Sequence, residues 1–291
     1  MTRARRLLMP QSMKSFAFAL APLLLACSES AQFELPIDGH GRVADPGPGT
    51  INPNTQVIML EFLPEYREAL ERFGLAQADH VVRSAVRMHL RANFAEYNVA
   101  VLFADEAAFS QATPAQTLTI EINGLHPERM QMPHYFNWSG AKDVGNLVRD
   151  EFIGGSNPAL LVDGMPTHGG IFIDSHFETW KDVPRFDRLF AAVAPELGGE
   201  PLERFPGSRN DEGAEPLVSV FGALIASSAT SLAAYAVGAP AGTDDAHTSN
   251  DEGCYTDAVL ARTFEERAKL DGTSEHFCAA DVTYLSSILA R

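Results

Sequence analysis

The feature that most constrains the fold is the stretch 216–243, which contains no charged side chain. A helix of this length is long enough to cross a membrane. The stretch also contains several hydroxyl side chains, and it lacks the basic flanks and the aromatic belt that are typical of a membrane span. We therefore predict a buried core helix over about 216–238, with a transmembrane helix as the alternative.

The N-terminus has the features of an export signal rather than of a folded domain. Basic residues precede an uncharged apolar run at 15–25; they are Arg3, Arg5, Arg6 and Lys14. The run is too short to span a bilayer as a helix, but it fits the apolar region of a signal peptide. A small residue and a cysteine follow it. The sequence Leu24-Leu25-Ala26-Cys27 resembles the bacterial lipobox.

This resemblance implies that a signal peptide, residues 1–26, is removed and that lipid on Cys27 anchors the mature protein to a membrane. Ser28 stands where the inner-membrane retention signal of such lipoproteins usually has Asp. The resemblance therefore favours the outer membrane of a bacterial cell envelope. The alternative is an ordinary secretory signal in which the cysteine is coincidental.

The mature chain is expected to be strongly acidic. The full sequence has a net charge of −16, and loss of the four basic residues before Cys27 gives −16 − 4 = −20. Such a body repels nucleic acid and anionic lipid surfaces, so no nucleic-acid partner is expected. Lipid, rather than charge, would hold the protein at the membrane.

Two cysteines follow Cys27 in the sequence, namely Cys254 and Cys278. An exported protein meets an oxidising compartment, which favours a disulfide between them. The bond would close a loop of about 25 residues and stabilise the fold by roughly 3 kcal/mol if it is unstrained. Two free buried thiols are the alternative.

The remaining sequence predicts a tether and one globular domain. Residues 27–55 are rich in turn formers, as in DPGPGTINPNT, and lack sustained periodicity, which predicts a flexible tether. Apolar patterns then predict strands at 56–63, 97–103, 117–122 and 169–174, and helices at 77–95, 184–197, 216–238 and 281–290. Helices and strands are mixed without a strict rhythm, so the domain at 56–291 is predicted to be α+β or α/β.

The order of these elements resembles a zinc metalloprotease of the metzincin type. MHLRANFAEYNVAVLF leads from a helix into a strand, FNWSGAKDVGN precedes the strand GGIFID, and the long helix ends at glycine in SLAAYAVGAPA. A turn, CYTD, and a closing segment with Cys278 follow. Thr256 in that turn stands where the family has a methionine. The resemblance implies a mixed sheet with a long buried helix at about 216–238.

The family's chemistry is missing at the corresponding positions. Its motif H-E-x-x-H-x-x-G-x-x-H binds zinc through three histidines and uses the glutamate as general base. Aligning Gly238 with the motif glycine places Ser231, Tyr235 and Ala241 at the ligand positions and Leu232 at the base. These side chains do not make a normal zinc site, and leucine cannot accept a proton. The degenerate motif therefore implies a domain that has no catalytic residues and no cofactor.

Other metal ligands are weaker candidates. His168, His176, Asp244 and His247 would form an atypical site only if three of them converged around an open position for water. Their spacing matches no known motif, so scattered histidines and a solvated acidic loop are favoured. Zinc would be a cofactor only if that site existed.

No motif of a serine hydrolase, a P-loop or a dinucleotide-binding fold occurs in the sequence. Glu265 and Glu266 lie close to Arg262 and Arg267 on a predicted helix. Opposite charges at this spacing indicate a solvated helix face rather than an acid–base site.

Three functions remain open at this point. The leading hypothesis is a membrane-anchored lipoprotein whose metalloprotease-like domain is non-catalytic and binds a peptide or protein. One alternative is an active metal-dependent hydrolase or peptidase with an atypical site. The other is a structural lipoprotein of the cell envelope.

Overall fold

The computed structural model describes most of the predicted domain and the residues just before it. The described residues are 45–109, 111–113, 116–124, 137–138, 143–144, 170–205, 214–237, 239, 253–256 and 262–289. The predicted signal peptide, Cys27 and the first part of the predicted tether lie outside this part of the chain.

Six strands in the described residues form one mixed sheet. They are β1 (Gln56–Phe62), β2 (Val99–Phe103), β3 (Thr117–Asn123), β4 (Asn137–Trp138), β5 (Asp143–Val144) and β6 (Gly170–Phe172). The strand order is β2-β1-β3-β6-β4, and β5 pairs with β3. The first four strands of this order are parallel, whereas β4 and β5 run antiparallel to their partners. Parallel strands covered on both faces read as nearly continuous apolar runs, as β1 and β2 do.

Seven α-helices are described around the sheet. They are α1 (Pro64–Arg72), α2 (Asp79–Asn93), α3 (Ile173–Trp180), α4 (Pro184–Phe190), α5 (Ala214–Ala236), α6 (Phe264–Arg267) and α7 (Ala279–Ile288). Proline begins α1 and α4, where its fixed φ suits the first helical turn. The long helix α5 packs along α2 and also contacts β3 and β6. It therefore lies at the centre of the core.

The mixed α/β fold confirms the predicted class, and most elements lie where the apolar patterns placed them. Two predictions were wrong in extent. The strand predicted at 169–174 ends at Phe172, because Ile173 begins α3. The helix predicted at 184–197 ends at Phe190 and is followed by a separate short 3-10 helix, Pro195–Leu197.

Gly170 explains the glycine that precedes the strand β6. Its φ of +128° lies in a region that other residues rarely adopt, and a Cβ atom there would be 2.4 Å from the Glu121 carbonyl oxygen on β3. Only glycine allows the backbone of β6 to approach β3 this closely.

The helix α5 is a core helix of the domain. Among the described helices, only Ala214–Ala234 is long and apolar enough to cross a membrane. Its most apolar 18 residues are fully buried inside the domain. This burial supports the prediction of a core helix over about 216–238.

Residues 45–55, which the sequence assigned to the flexible tether, are attached to the domain. The carboxylate of Asp45 accepts a bond from Arg87, and the Gln116 side chain donates to the carbonyl oxygens of Asn52 and Thr55. The attached part of the chain thus begins before the predicted boundary at Gln56. Turn formers lack periodicity, so their long-range partners were not visible in the sequence.

Candidate functional site

The candidate site lies around α5, because this helix carries the positions that align with the metalloprotease motif. Its serine and threonine side chains are all buried; they are Ser219, Ser227, Ser228, Thr230 and Ser231. A buried hydroxyl normally requires a hydrogen-bonding partner, and these hydroxyls meet partners from several other elements. The groups that bond to these hydroxyls thus lie mostly on other elements of the domain.

Ser231 and Leu232 occupy the aligned positions of the first zinc ligand and of the general base. The Ser231 hydroxyl donates a hydrogen bond of 2.5 Å to the Tyr255 carbonyl oxygen, and Ser231 is 1 % exposed. Leu232 is 6 % exposed and belongs to the hydrophobic core. These two side chains are therefore buried, one in a hydrogen bond and the other in the hydrophobic core.

The other motif positions are described only in part. Tyr235 lies within the last turns of α5, but its side chain is outside the described residues. Gly238 and Ala241 also lie outside them. Whether the chain turns at Gly238 as the motif implies remains a prediction.

The turn that follows the motif in sequence packs against α5. It contains Cys254, Tyr255 and Thr256, which are all buried, and its Tyr255 carbonyl accepts from Ser231. The Thr256 hydroxyl donates a 2.6 Å bond to Asp281 at the start of α7. Thr256, which the sequence aligned with the family's methionine, therefore links the turn to α7.

Cys254 and Cys278 are paired, with 5.5 Å between their Cα atoms, in agreement with the predicted disulfide. Together with Asp281 they form a group of potential metal ligands within the described residues. Zinc binding by cysteine requires thiolate sulfurs, and these two sulfurs are bonded to each other. The Asp281 carboxylate also accepts a hydrogen bond from Thr256, so this group links the turn to α7.

A buried ionic network lies beside the middle of α5. Arg262 donates a 2.7 Å bond to Glu275 Oε1, and the Ser227 hydroxyl donates to the same oxygen at 2.9 Å. Arg267 Nη1 donates to the Ser227 hydroxyl at 3.0 Å. The side chains of Arg262 and Glu275 are 1 % and 0 % exposed. Burial, with a smaller contribution from Arg262, lowers the pKa of the Arg267 guanidinium.

This network corrects the prediction of a solvated helix face. Arg262 and Arg267 are buried, although Glu265 and Glu266 beside them are partly exposed. Glu266 instead closes a capping box with Thr263 at the start of α6. The pattern of charges could not show the burial, because the acidic partner, Glu275, lies beyond the helix.

His176 is the only candidate for an atypical metal site that lies within the described residues. It is fully buried on α3, and its Nε2 atom is 3.4 Å from the Ser228 hydroxyl oxygen. Burial, with a smaller contribution from Arg267, lowers its pKa to about 3. The imidazole is therefore neutral at pH 7 and is enclosed in the core. His168, Asp244 and His247 lie outside the described residues, so their convergence stays untested.

A second buried histidine, His89 on α2, was not singled out by the sequence. Its Nε2 atom is 3.2 Å from the Ser219 hydroxyl oxygen on α5. Burial, with a smaller contribution from Lys269, lowers its pKa to about 3. His89 lies on the apolar face of the predicted helix, and this position was the one sequence signal that could have indicated its burial.

Searches for similar proteins add no constraint to this geometry, because the chain matches no family model, no curated protein and no solved structure.

Proposed function

We propose that this chain is an exported, lipid-anchored protein whose domain has a metalloprotease-like frame without metalloprotease chemistry, and that it acts by binding a peptide or protein. The observation that carries the proposal is the burial of the two aligned motif positions on α5. Ser231 is buried against the Tyr255 carbonyl, and Leu232 is packed in the core. A site that needs a zinc ligand and a general base has neither at these positions.

The architecture supports the metalloprotease-like part of the proposal. The resemblance implies a mixed sheet with a long buried helix, and α5 lies buried against β3 and β6. It also implies a turn after the helix, and the turn at Cys254–Thr256 contacts α5 through Ser231. Because a shared fold does not fix an activity, these features support the frame and not the function.

Peptide binding is supported by the position of β4. This short antiparallel strand ends the order of paired strands in the described part of the sheet. A strand at the end of a sheet can bind an extended peptide by adding it as a further strand through main-chain hydrogen bonds. We therefore expect a ligand to contact the backbone of Asn137 and Trp138.

Metal analysis and peptide hydrolysis test the non-catalytic part. The purified mature protein is incubated with zinc, dialysed and assayed for bound metal and for cleavage of a peptide library. We expect well below one zinc per chain and no cleavage above the rate of the Ser231→Ala variant. Stoichiometric zinc together with cleavage that a chelator abolishes would refute the proposal and favour a metal-dependent hydrolase with an atypical site.

Backbone amide shifts test the binding part. Peptides from the same library are titrated into labelled protein, and saturable shifts are expected at Asn137 and Trp138 but not at Ile120 on the central strand β3. A protein that neither binds nor cleaves any peptide would instead support the structural lipoprotein of the envelope.

Lipid labelling tests the anchor. A clickable fatty acid should label the wild-type chain in bacteria and leave Cys27→Ala unlabelled, and this variant should move from the membrane to the soluble fraction. Cys254→Ala provides the control, because it removes a cysteine without touching the lipobox. Labelling of Cys27→Ala would contradict the assignment.

A further inference from the structure

The edge of β2 that faces away from β1 has no strand beside it in the described residues, and its amides donate to acceptors in loops and helices instead. Alternate residues of a strand direct their amides to the same edge. The amide of Val99 donates to the Tyr97 carbonyl at 2.9 Å, and that of Val101 donates to the Pro48 carbonyl at 3.0 Å. The amide of Phe103 donates to the Glu106 carboxylate at 3.1 Å. Every second amide along β2 is thus satisfied without another strand.

The Val101 bond involves a distant segment, residues 45–50, which precedes the sheet in sequence. Arg91 on α2 holds this segment, because its Nη1 atom donates to the carbonyl oxygens of Pro46 and Gly47 at 2.7 and 3.0 Å. Carbonyl groups, rather than side chains, are bound here, so Arg91 fixes the path of the backbone.

The start of the segment is tied to a buried charge. Arg87 on α2 is 1 % exposed, and it donates to the two Asp45 carboxylate oxygens at 2.9 and 3.0 Å. Its guanidinium also donates to Glu106 and lies 3.6 Å from the centre of the Phe103 ring. Asp45 thus shares the buried Arg87 charge with Glu106, and this ion pair ties the start of the segment to α2.

We propose that residues 45–50 form a strap that closes the β2 edge and fixes the point where the N-terminal chain joins the domain. An uncovered edge strand is a template for pairing with another chain, and the strap removes that template. Asp45 binds Arg87 at the start of the strap, and Arg91 binds the carbonyl groups that follow it. Glu106 accepts hydrogen bonds both from Arg87 and from the Phe103 amide on the β2 edge.

One consequence rests on the proposed lipid anchor. If lipid is attached at Cys27, only residues 27–44 separate it from the strap, and a fully extended chain of that length reaches roughly 60 Å. The β2 edge is then the part of the sheet tied to the membrane, while β4 lies at the other end of the strand order. The proposed peptide edge is therefore the one farther from the attachment point.

Hydrogen exchange of the Val101 amide, measured in the full exported chain, tests whether the strap covers the β2 edge. Asp45→Ala should speed exchange of the Val101 amide at least tenfold, whereas the matched change Asp105→Ala, at an exposed carboxylate beside Glu106, should leave it unchanged. Exchange at Ile120 on β3 reports whether the whole domain has loosened. An unchanged Val101 rate in Asp45→Ala would overturn the proposal.

Arg91→Ala provides a second variant that leaves no buried charge unpaired, so it decides the matter if Asp45→Ala does not fold. We expect faster exchange at Val101 and an unchanged rate at Phe103, whose amide is closed by Glu106. Equal rates at Val101 in Arg91→Ala and wild type would refute the strap. Failure of lipid labelling would remove only the membrane consequence, because the exchange experiment does not depend on the lipid.

Discussion

Replacement of Glu275 by glutamine should destabilise the domain more than any change to an exposed carboxylate. Glu275 is the only acidic group that bonds to Arg262 in the described residues, and both side chains are almost completely buried. Glutamine keeps the shape and one acceptor oxygen but removes the charge. The positive charges of Arg262 and Arg267 would then lose the one negative charge that this network supplies to both.

The magnitude follows from the burial. Removal of one partner of a buried ion pair costs about 3–5 kcal/mol, because the remaining charge is left uncompensated. A typical domain has a free energy of unfolding of about 5–15 kcal/mol, so Glu275→Gln should lose a large share of it. The same change at the partly exposed Glu265 should cost less than about 0.5 kcal/mol.

Urea unfolding of the wild type, Glu275→Gln and Glu265→Gln measures the difference in the free energy of unfolding. We expect a lower midpoint for Glu275→Gln with an unchanged slope, which indicates lost stability rather than an altered unfolded state. Arg262→Met combined with Glu275→Gln should recover part of the loss, because it removes the uncompensated charge. A loss below about 1 kcal/mol for Glu275→Gln would refute the reasoning, since removal of one partner of a buried ion pair should cost about 3–5 kcal/mol.

Three further predictions concern other parts of the molecule. His89 and His176 have folded pKa values of about 3 against an ordinary value of 6.5, so the unfolded chain binds protons more readily below pH 6.5. Stability should be complete above that pH and fall by about 2 kcal/mol per histidine by pH 5, and His176→Gln should halve this loss in urea unfolding. A stability that is flat between pH 7 and pH 5 would contradict this. Gly222→Ala should lower the urea midpoint, because the new Cβ would lie 2.5 Å from Ala85 Cβ, and overpacking of about 1–3 kcal/mol outweighs a gain in helix propensity of about 1 kcal/mol. If the chain is anchored through Cys27 in the outer membrane as proposed, Ser28→Asp should move it to the inner membrane fraction, and an unchanged distribution would argue against this sorting.

The sequence predicted those elements whose signal is local. The apolar run at Gln56–Phe62 and the helical period at Asp79–Asn93 each fit in a single window, and both elements lie where expected. The helix Ile173–Trp180 was missed because its first residues continue the apolar run of β6. A short run of this kind does not separate a strand from the start of a helix.

The candidate site was less predictable because its contacts are long-range. Ser227 and Glu275 are 48 residues apart, and Asp45 and Arg87 are 42 apart. Nothing in a local window links such residues, and charged side chains are usually exposed. Arg262 was therefore assigned to a solvated face, and Asp45 was assigned to a tether.

The absence of charged side chains on α5 beyond Glu215 now has a physical explanation. The helix contributes hydroxyls, and the charged or imidazole groups that meet them come from α2, α3, α6 and the segment around Glu275. Under this arrangement a zinc-protease site could not be built by placing the motif residues on α5 alone. A histidine at Ser231 would have to break the bond to the Tyr255 carbonyl in a position that is 1 % exposed, and a glutamate at Leu232 would bury a carboxylate in the core. The packing around Ser231 and Leu232 therefore opposes zinc coordination and general-base chemistry at these two positions.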